Sequence, residues 1–486
     1  MGTFEEQQNF KTMKRDRIAL TALFLIITAG TAISQRSLKD IEGPWTGTLT
    51  ESGVQLSMVF RFTMTEADTV KATLDVPAQG AVNLPLGRVT FKGDTLTVDA
   101  PMIKGQYRAV FSGDSTLTGT WTQLGRKYPL DLKKNAPPVT FNRPQEPKKP
   151  YPYKEEEVTF RNSVENFDLA GTLTLPEGPG PFPAVVLITG SGQEDRNETL
   201  FAHKPFLVIA DYLTRNGIAV LRYDDRGFGE SKGNAANATT LSFADDAAAA
   251  ASYLLGRPEI NPKKIGLAGH SEGGLIAAIA GSKNSSIAFI ISLAGQGVSG
   301  YDILSKQTRD ILAASGSSEQ EIEEAWATNS NLFKIIMAQP DQRKAAKEAM
   351  EWYSKDIDSK GLTPDERKEQ MAAFTRGIVQ VNNAWWRYWL PTDPAVFWKG
   401  VKCPVLALNG DKDLQVNYEQ NLPAIKAAMV SGGNKKIKTV ILPGHNHLFQ
   451  HCTTGAPAEY TTIEETFSPE ALDIITKWIK KTVKVK

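Results

Sequence analysis

The chain has 486 residues, of which 41% are hydrophobic and 22% charged, and its formal net charge is +1. This length exceeds one ordinary hydrophobic core and predicts two or three domains. The balanced charge argues against a nucleic-acid partner, because no basic excess is available to displace counterions from phosphates. The two cysteines, Cys403 and Cys452, can form one disulfide at most. We expect two free, largely buried thiols, since Cys403 opens an apolar strand.

Residues 1–34 carry the pattern of a targeting signal. An apolar run at residues 18–32 follows three basic residues, and Ala32 and Ser34 stand at the spacing of a cleavage site. The run is short for a membrane-spanning helix, although an uncleaved anchor is the alternative. We therefore expect cleavage before Gln35, export to the periplasm or the medium, and no stable membrane insertion of the mature chain.

Short alternating segments separated by Gly and Asp fill residues 35–134. Period-two alternation of this kind predicts an antiparallel β-barrel or β-sandwich domain of about eight strands. The motif W-T-G-T at Trp45 and the related G-T-W-T at Trp121 are candidates for two strands that close a barrel. No cluster of acids, His or Cys occurs in this part of the sequence. We therefore favour a structural role, or one in forming a homo-oligomer, over a ligand- or glycan-binding module.

Six prolines in residues 135–153 predict a stiff, extended linker between domains. From residue 154 to 486, continuous apolar strands alternate with helical segments, which predicts an α/β domain with a parallel sheet covered on both faces. The alternation stops at about residues 296–400, where a Trp-rich stretch shows helical periodicity and no strong strand. We expect this stretch to form a helical cap over the carboxyl edge of the sheet, where ligands bind in such folds.

The stretch at residues 264–278 has the form of a short apolar strand, then G-x-S-x-G, then an Ala-rich helix. Glycines on both sides of Ser271 suit a strained strand-to-helix turn, where larger side chains would collide with neighbouring backbone. The turn exposes the Ser271 hydroxyl and directs the first helical amides towards the group that it attacks. Ser271 is the candidate nucleophile. We expect His270 to pack under the turn and His203 to be a loop residue.

A serine hydroxyl needs a base to take its proton, and the base needs a carboxylate to orient it. The segments G-D-K-D and G-H-N-H each follow a strong strand. We choose Asp413 over Asp411, because the later acid lies past the turn. By the same reasoning we choose His447 over His445, and also over His451, which is further from the strand. The chain order Ser, Asp, His completes the candidate triad.

Two amides aimed at one place are needed to hold the oxyanion of a tetrahedral intermediate. Glu272, directly after the nucleophile, supplies one candidate amide, and Ser191 or Gln193 in a Gly-rich loop supplies the other. Arg226, in D-D-R-G, is expected to tie its own loop rather than to bind substrate. The sequence has no metal-ligand spacing, P-loop lysine or dinucleotide fingerprint, so neither a metal nor a cofactor is predicted.

Several segments together resemble a family of exported bacterial α/β-hydrolase esterases: V-L-I-T-G-S-G-Q-E-D-R-N, V-L-R-Y-D-D-R-G-F-G-E-S, G-L-A-G-H-S-E-G-G, L-A-L-N-G-D-K-D-L-Q-V and N-H-L-F-Q. The layout is similar too, with an N-terminal β domain before a hydrolase domain that carries a helical cap. The resemblance implies a carboxylesterase for small-molecule esters with short acyl chains, with Ser271, Asp413 and His447 at the matching positions. His445 is a departure, since an extra His precedes the expected one. Thioesterases and peptidases share the fold, and an inactive, glycan-binding protein is the competing class.

Three tryptophans, Trp385, Trp386 and Trp389, fall within five residues of a predicted helix in the cap. At about 100° per residue, Trp385 and Trp389 share one face and Trp386 lies beside them. One interpretation is a substrate pocket over Ser271. The alternative, which we favour, is that the rings pack the cap onto the hydrolase core, since buried aromatics commonly do so.

Overall fold

The computed structural model describes residues 36–51, 54–66, 69–77, 81–123, 126–137 and 140–485. The predicted signal at residues 1–34 lies outside the described residues. Within these ranges, no helix is both long enough and apolar enough to cross a membrane. Cys403 and Cys452 are free thiols, and both are half-buried rather than largely buried.

The first domain is one antiparallel sheet of ten described strands. They are β1 Gly43–Glu51, β2 Val54–Met64, β3 Val70–Val76, β4 Ala81–Pro85, β5 Val89–Lys92, β6 Thr95–Ala100, β7 Gly105–Gly113, β8 Thr116–Gln123, β9 Arg126–Pro129 and β10 Leu132–Lys134. Their order is β4-β3-β2-β1-β10-β8-β7-β6-β5, with β9 paired to β8. The antiparallel β prediction is confirmed, as a half-barrel. The expected count of strands was too low, because β4, β9 and β10 are short and carry Pro or Lys.

Alternating side chains along these strands build the core of the β domain. Alternate residues of β6 are buried, and Trp45 and Trp121 are fully buried together with Phe60 and Tyr107. The strands with the two Trp motifs, β1 and β8, flank β10 in the interior of the sheet. They therefore do not meet to close a barrel, as the repeated motif had suggested. Each motif instead contributes one large ring to a shared core.

Residues between the two domains are held against the second domain. An arginine has five N–H donors and can therefore satisfy several carbonyl groups at once. Arg143 does so over distances of 2.8–3.2 Å, donating to the carbonyl oxygens of Phe201, Ala202, Thr461 and Ile463. The prolines predict stiffness, whereas the contacts of Arg143, together with those of Gln145 to Thr466 and Phe467, fix where the linker runs.

The second domain contains an eight-stranded sheet. Its strands are β11 Lys154–Asn162, β12 Phe167–Leu175, β13 Phe182–Ile188, β14 Ala219–Tyr223, β15 Ile260–His270, β16 Phe289–Leu293, β17 Val405–Gly410 and β18 Ile437–Leu442. Their order is β11-β12-β14-β13-β15-β16-β17-β18. The hairpin β11–β12 and the pair β12–β14 are antiparallel, and the remaining neighbours are parallel.

Helices cover both faces of this sheet and form a separate group between β16 and β17. They are α1 Pro205–Arg215, α2 Thr240–Leu255, α3 Glu272–Lys283, α4 Gly300–Ala314, α5 Glu319–Ala338, α6 Gln342–Asp358, α7 Pro364–Val381, α8 Ala384–Trp389, α9 Ala395–Trp398, α10 Tyr418–Ser431 and α11 Pro469–Val483. One apolar cluster joins α2, α3 and α10 to the strands, and another joins α1 and α11. Burial on both faces explains why β14 and β17 are apolar almost throughout. The predicted α/β-hydrolase fold is confirmed.

Helices α4–α9 form the helical region expected at this point of the chain. The core of α4–α8 is distinct from the two sheet clusters and includes Trp326, Phe333 and Phe374, whereas Trp398 of α9 belongs to the cluster of α2, α3 and α10. Local sequence sets where two of the helices begin, because capping boxes start α5 at Ser318 and α7 at Thr363. The region is thus a small helical layer with its own packing, inserted between two neighbouring strands.

Candidate active site

Ser271 lies at the sharp turn between β15 and α3. Its φ is 53° and its ψ is −117°. A positive φ costs a residue with a side chain about 1–3 kcal/mol, and such strain is often found at functional sites. A Cβ on Gly269 would lie 1.9 Å from the Gly273 carbonyl oxygen, and one on Gly273 would lie 2.3 Å from that of Ile188. The glycines of G-x-S-x-G are therefore required by close approach of backbone to backbone.

Asp413 and His447 meet in the loops that follow β17 and β18. The Nδ1–H of His447 donates to Oδ2 of Asp413 at 2.8 Å, and both side chains are buried. The second oxygen of Asp413 accepts the amides of Gln415 and Val416 at 2.8 and 2.9 Å, which holds the carboxylate in place. With Nδ1 protonated, Nε2 of His447 carries the lone pair that a general base needs.

The alternative candidates for the orienting acid and the general base make different hydrogen bonds. Asp411 accepts the amide of Gly444 at 2.6 Å, and His451 is exposed. His445 is buried, with its Nδ1 2.8 Å from the carbonyl oxygen of Pro443. The structure therefore brings Asp413 together with His447, whereas these three side chains make other contacts.

Ser271 and His447 line the same cavity, which has a volume of about 340 Å³. Its wall combines loops at the carboxyl edge of the sheet with side chains of the helical region, the position expected of a cap. Most of the lining is apolar, as in sites for small organic ligands. Other lining residues are Gly190, Ser191, Glu194, Leu200, Phe201, His270, Gln296, Ile303, Leu304, Gln307, Trp385, Trp386, Trp389, Gln415, Val416, Leu448 and Tyr460.

A buried, hydrogen-bonded pair of a histidine and a glutamate lies directly beside the nucleophile. His270 Nε2 is 2.9 Å from the His447 carbonyl oxygen, so it must carry a hydrogen, and Nδ1 is 2.8 Å from Oε1 of Glu198. Burial alone would lower the pKa of His270, but the Glu198 carboxylate and the His447 carbonyl together raise it above its ordinary value. His270 thus packs under the turn, as expected, and also holds the backbone of the candidate base. No pattern in the sequence marked Glu198 for this role.

A second buried acid, Glu194, belongs to the cavity wall. Burial, reinforced by the negative charges of Glu198 and Asp225, raises the pKa of Glu194 well above its ordinary value. Its Oε2 has no hydrogen-bond partner among the described residues. This carboxyl group therefore holds its proton to a higher pH than an exposed glutamate does.

The residue after the nucleophile links the sheet to the helical region. Glu272 begins α3, and its Oε1 accepts the Thr240 hydroxyl at 2.7 Å and the Trp385 indole N–H at 2.8 Å. Burial nevertheless raises the pKa of Glu272. Its backbone amide belongs to the first turn of the helix, where N–H groups lack intrahelical partners. That amide is the one predicted for an oxyanion hole.

The two alternatives for the second oxyanion amide are in different positions. Ser191 lines the cavity that contains Ser271. Gln193 lines a separate cavity, and its side chain donates to the Arg226 carbonyl oxygen at 2.8 Å. The amide of Gly190 in the same loop donates to Glu198 at 3.1 Å. The geometry therefore favours Ser191 over Gln193.

The three tryptophans of α8 both line the cavity and pack the helical region. Trp385 and Trp389 stack with ring centroids 5.0 Å apart, and Trp386 meets both rings edge-on. Trp389 is 5% exposed and donates to Oε1 of Gln296 at 2.9 Å, whereas Trp386 stacks on Phe333. The pocket and packing interpretations thus describe different sides of one aromatic cluster.

Arg226 and His203 have structural surroundings. The buried guanidinium of Arg226 donates to Asp246 at 2.7 Å and so ties its loop to α2, as expected. His203 lies in a loop but is fully buried, and burial lowers its pKa to about 4. One of its ring nitrogens is 2.9 Å from the carbonyl oxygen of Tyr460. Neither residue lines the cavity that contains Ser271.

Part of the chain matches a known family and several characterised proteins. The family described as serine aminopeptidase, S33 (Hydrolase_4), matches residues 204–360, which include Ser271. Esterase EstD of Thermotoga maritima is 35% identical over 127 residues, 26% of this chain and 29% of the relative. Polyketide transferase claH of Penicillium crustosum is 29% identical over 147 residues, 28% and 43% of the two chains. Human acyl-coenzyme A thioesterase 1 is 33% identical over 116 residues, 24% of each chain.

The chain spans less than half the length of these curated relatives. Among solved structures, the α/β hydrolase GrgF from Penicillium sp. sh18 is 19% identical with a TM-score of 0.43, over 68% of this chain and 99% of that chain. The esterase Pf2001 of Pyrococcus furiosus is 15% identical with a TM-score of 0.40, over 68% and 93%. The assignment of the fold rests on this chain's own strand order and on the family match.

Proposed function

We propose that this protein is a serine hydrolase that cleaves carboxylic esters through a covalent acyl-enzyme. The observation that carries the proposal is that Ser271, at a strained turn, shares one cavity with a His447 oriented by Asp413 at 2.8 Å. A serine is a weak nucleophile until an oriented base takes its proton. The partial relatives named as an esterase and a thioesterase support the same class of reaction.

In the first half of the proposed reaction, Oγ of Ser271 attacks the ester carbonyl carbon and Nε2 of His447 takes the hydroxyl proton. Asp413 stabilises the imidazolium that forms. The amide of Glu272, together with an amide near Ser191, holds the oxyanion. His447 then gives its proton to the departing alkoxide, so the alcohol leaves and the acyl group stays on Ser271.

In the second half, water attacks the acyl-enzyme. His447 takes a proton from the water and returns it to Oγ of Ser271 as the carbon–oxygen bond to the serine breaks. The sum is an ester and water converted to a carboxylic acid and an alcohol. Ser271 and His447 therefore act in both halves of the reaction.

Short, uncharged acyl esters are the proposed substrates. A cavity of about 340 Å³ with a largely apolar lining suits a small organic molecule. The raised pKa values of Glu194 in the cavity wall and of Glu272 beside the nucleophile favour the neutral form of each acid, which suits an uncharged substrate. Neither observation separates an oxygen ester from a thioester, which is why the experiment compares both.

The proposal predicts that Ser271→Ala abolishes hydrolysis of short p-nitrophenyl esters. Loss of a triad nucleophile lowers kcat by roughly 10⁴- to 10⁶-fold. A melting curve of the variant checks that the fold is intact. In the wild type, a fluorophosphonate probe should label Ser271 and no label should appear in the variant, because only an activated serine reacts. Turnover that survives in Ser271→Ala contradicts the assignment, and an unlabelled wild type favours an inactive binding protein.

Substrate class follows from a comparison of kcat/KM for p-nitrophenyl butyrate, butyryl-coenzyme A and an aminoacyl p-nitroanilide. We expect the oxygen ester to be preferred. A thioester or anilide turned over faster, with Ser271→Ala inactive on it, would keep the mechanism and replace the substrate. Including the variant in each assay separates these two conclusions.

A further inference from the structure

Two histidines and a glutamate converge beside the loop of the proposed general base. His445 and His451 belong to the loop after β18, and Glu470 lies in the first turn of α11. One ligand atom from each of the three side chains lies within 4.8 Å of the other two. A backbone bridge pairs His445 with His451, and their ring centroids are 4.2 Å apart. The spacing of the two rings is therefore fixed by the backbone.

The hydrogen bond of His445 uses Nδ1 and leaves Nε2 available to bind a metal ion. Its Nδ1 is 2.8 Å from the carbonyl oxygen of Pro443, which can only accept, so Nδ1 carries the hydrogen. Nε2 then has a lone pair, although the side chain is fully buried and Nε2 has no hydrogen-bond partner among the residues that the structure describes. A buried polar atom left unsatisfied destabilises the folded state. A bound cation would satisfy it.

His451 is oriented in the manner of a metal ligand. Its Nδ1 is 2.9 Å from Oε1 of Glu465, and the same oxygen accepts the His451 amide at 2.8 Å. A carboxylate that accepts Nδ1–H directs the Nε2 lone pair and increases its basicity, as is usual for histidines that bind zinc. The imidazole of His451 is thus held by a carboxylate that is not itself one of the three converging groups.

We propose that His445, His451 and Glu470 bind a divalent transition-metal ion of the Zn²⁺ type. Two imidazoles and a carboxylate suit Zn²⁺ and its neighbours, whereas Mg²⁺ and Ca²⁺ prefer oxygen ligands. The side chains of His451 and Glu470 are exposed, so an ion can enter and water can complete its coordination. The carboxylates of Glu465 and Glu470 offset its charge.

The bound ion fastens the loop that carries His447. That residue lies between the two histidine ligands along the chain, and the third ligand belongs to α11, which packs against the sheet. An ion that binds the folded state alone stabilises it in proportion to its affinity and concentration. Its role is structural, since His447 makes its own pair with Asp413. This site could not be recognised in the sequence, because Glu470 comes from α11 and the two histidines come from the loop after β18.

The test is calorimetric titration of metal-free, untagged, full-length protein with Zn²⁺. We expect one ion per chain and a melting temperature that rises with Zn²⁺ but not with Mg²⁺. His451→Ala should lose stoichiometric binding. Glu465→Gln, which replaces the carboxylate that accepts both the Nδ1–H and the backbone amide of His451, should weaken binding by roughly 10- to 100-fold. All of these readouts are independent of catalysis, and Ser271→Ala should bind Zn²⁺ like the wild type.

A matched control separates metal coordination by Glu470 from the general effect of removing a negative charge. Glu470→Gln and Glu464→Gln each remove one exposed negative charge nearby, but Glu464 is not one of the three converging groups. We expect weaker Zn²⁺ binding in the first variant and unchanged binding in the second. The proposal is overturned if the wild type shows no stoichiometric binding, if His451→Ala binds as tightly as the wild type, or if the two glutamine variants behave alike.

Discussion

The smallest feature with consequences for the whole site is the pair of His270 and Glu198. His270 uses both ring nitrogens, one on the carbonyl of His447 and one on Glu198. It therefore connects the backbone of the proposed base to the loop that begins at Gly190, whose amide also donates to Glu198. A single buried charge pair thus sets the spacing of two walls of the cavity.

Replacing one partner tests this pair. Glu198→Gln keeps an acceptor oxygen but removes the charge. We expect the free energy of unfolding at pH 6 to fall by about 1–3 kcal/mol, less than the ~3–5 kcal/mol for a permanently charged buried pair, because His270 can lose its proton. The measurement is urea denaturation. Lys347→Ala, which breaks an exposed pair with Glu351, serves as the control and should cost at most about 1 kcal/mol.

The loss of stability in Glu198→Gln should also depend on pH. The pKa of His270 is raised in the folded protein, so the stabilisation is fully present below the ordinary histidine pKa of about 6.5 and is lost as the pH rises through the raised pKa. The difference in stability between wild type and Glu198→Gln should therefore narrow from pH 6 towards alkaline pH. A difference that is zero at pH 6, or that widens as the pH rises, contradicts this account.

At the scale of elements, helix α8 divides its three rings between two tasks. Trp389 is almost fully buried and hydrogen-bonded, whereas Trp385 and Trp386 are half-buried in the cavity wall. Trp385 also reaches Glu272 beside the nucleophile. The helix is therefore both a part of the cap core and a surface that substrate would contact.

Alanine variants of α8 should separate these tasks. Trp389→Ala should cost roughly 3–5 kcal/mol of stability. Trp386→Ala should instead change relative kcat/KM among ester chain lengths, by up to ~10–200-fold per methylene-sized contact. The measurement is a p-nitrophenyl ester series from acetate to decanoate beside melting curves. If both variants melt early and keep the parent's chain-length profile, the substrate-contact interpretation is wrong.

How well an element could be predicted depended on the strength of its local pattern. The buried strands β13–β17 and the turn at Ser271 stood out, because burial on both faces demands continuous apolar runs and the turn demands glycine. Strands β4, β9 and β10 were missed, since three to five residues with Pro or Lys carry little alternation. Glu198 was missed for another reason: only the folded chain brings it to His270, 72 residues away.

For the molecule as a whole, we propose that residues 1–34 direct export. The expected result is that protein recovered from outside the cytoplasm begins at Gln35. The reason is that the apolar run at residues 18–32, followed by small residues just before Gln35, has the pattern of a cleavable signal. N-terminal sequencing is the measurement. Leu25→Arg, inside the run, should block export, while Val379→Arg, at an exposed position of α7, should not. An exported protein that keeps the apolar run of residues 18–32 would refute the proposal.

The contacts of Arg143 change where the second domain should be considered to start. Phe201 is itself part of the cavity wall, and the segment that includes Thr461 adjoins another wall residue, Tyr460. A hydrolase domain excised at residue 154, the first residue of β11, would leave the carbonyl groups that face Arg143 without their donor. The hydrolase unit that can be exchanged between proteins therefore begins before Arg143, and a cut at the first strand of the domain removes a side chain that supports the wall of the substrate cavity.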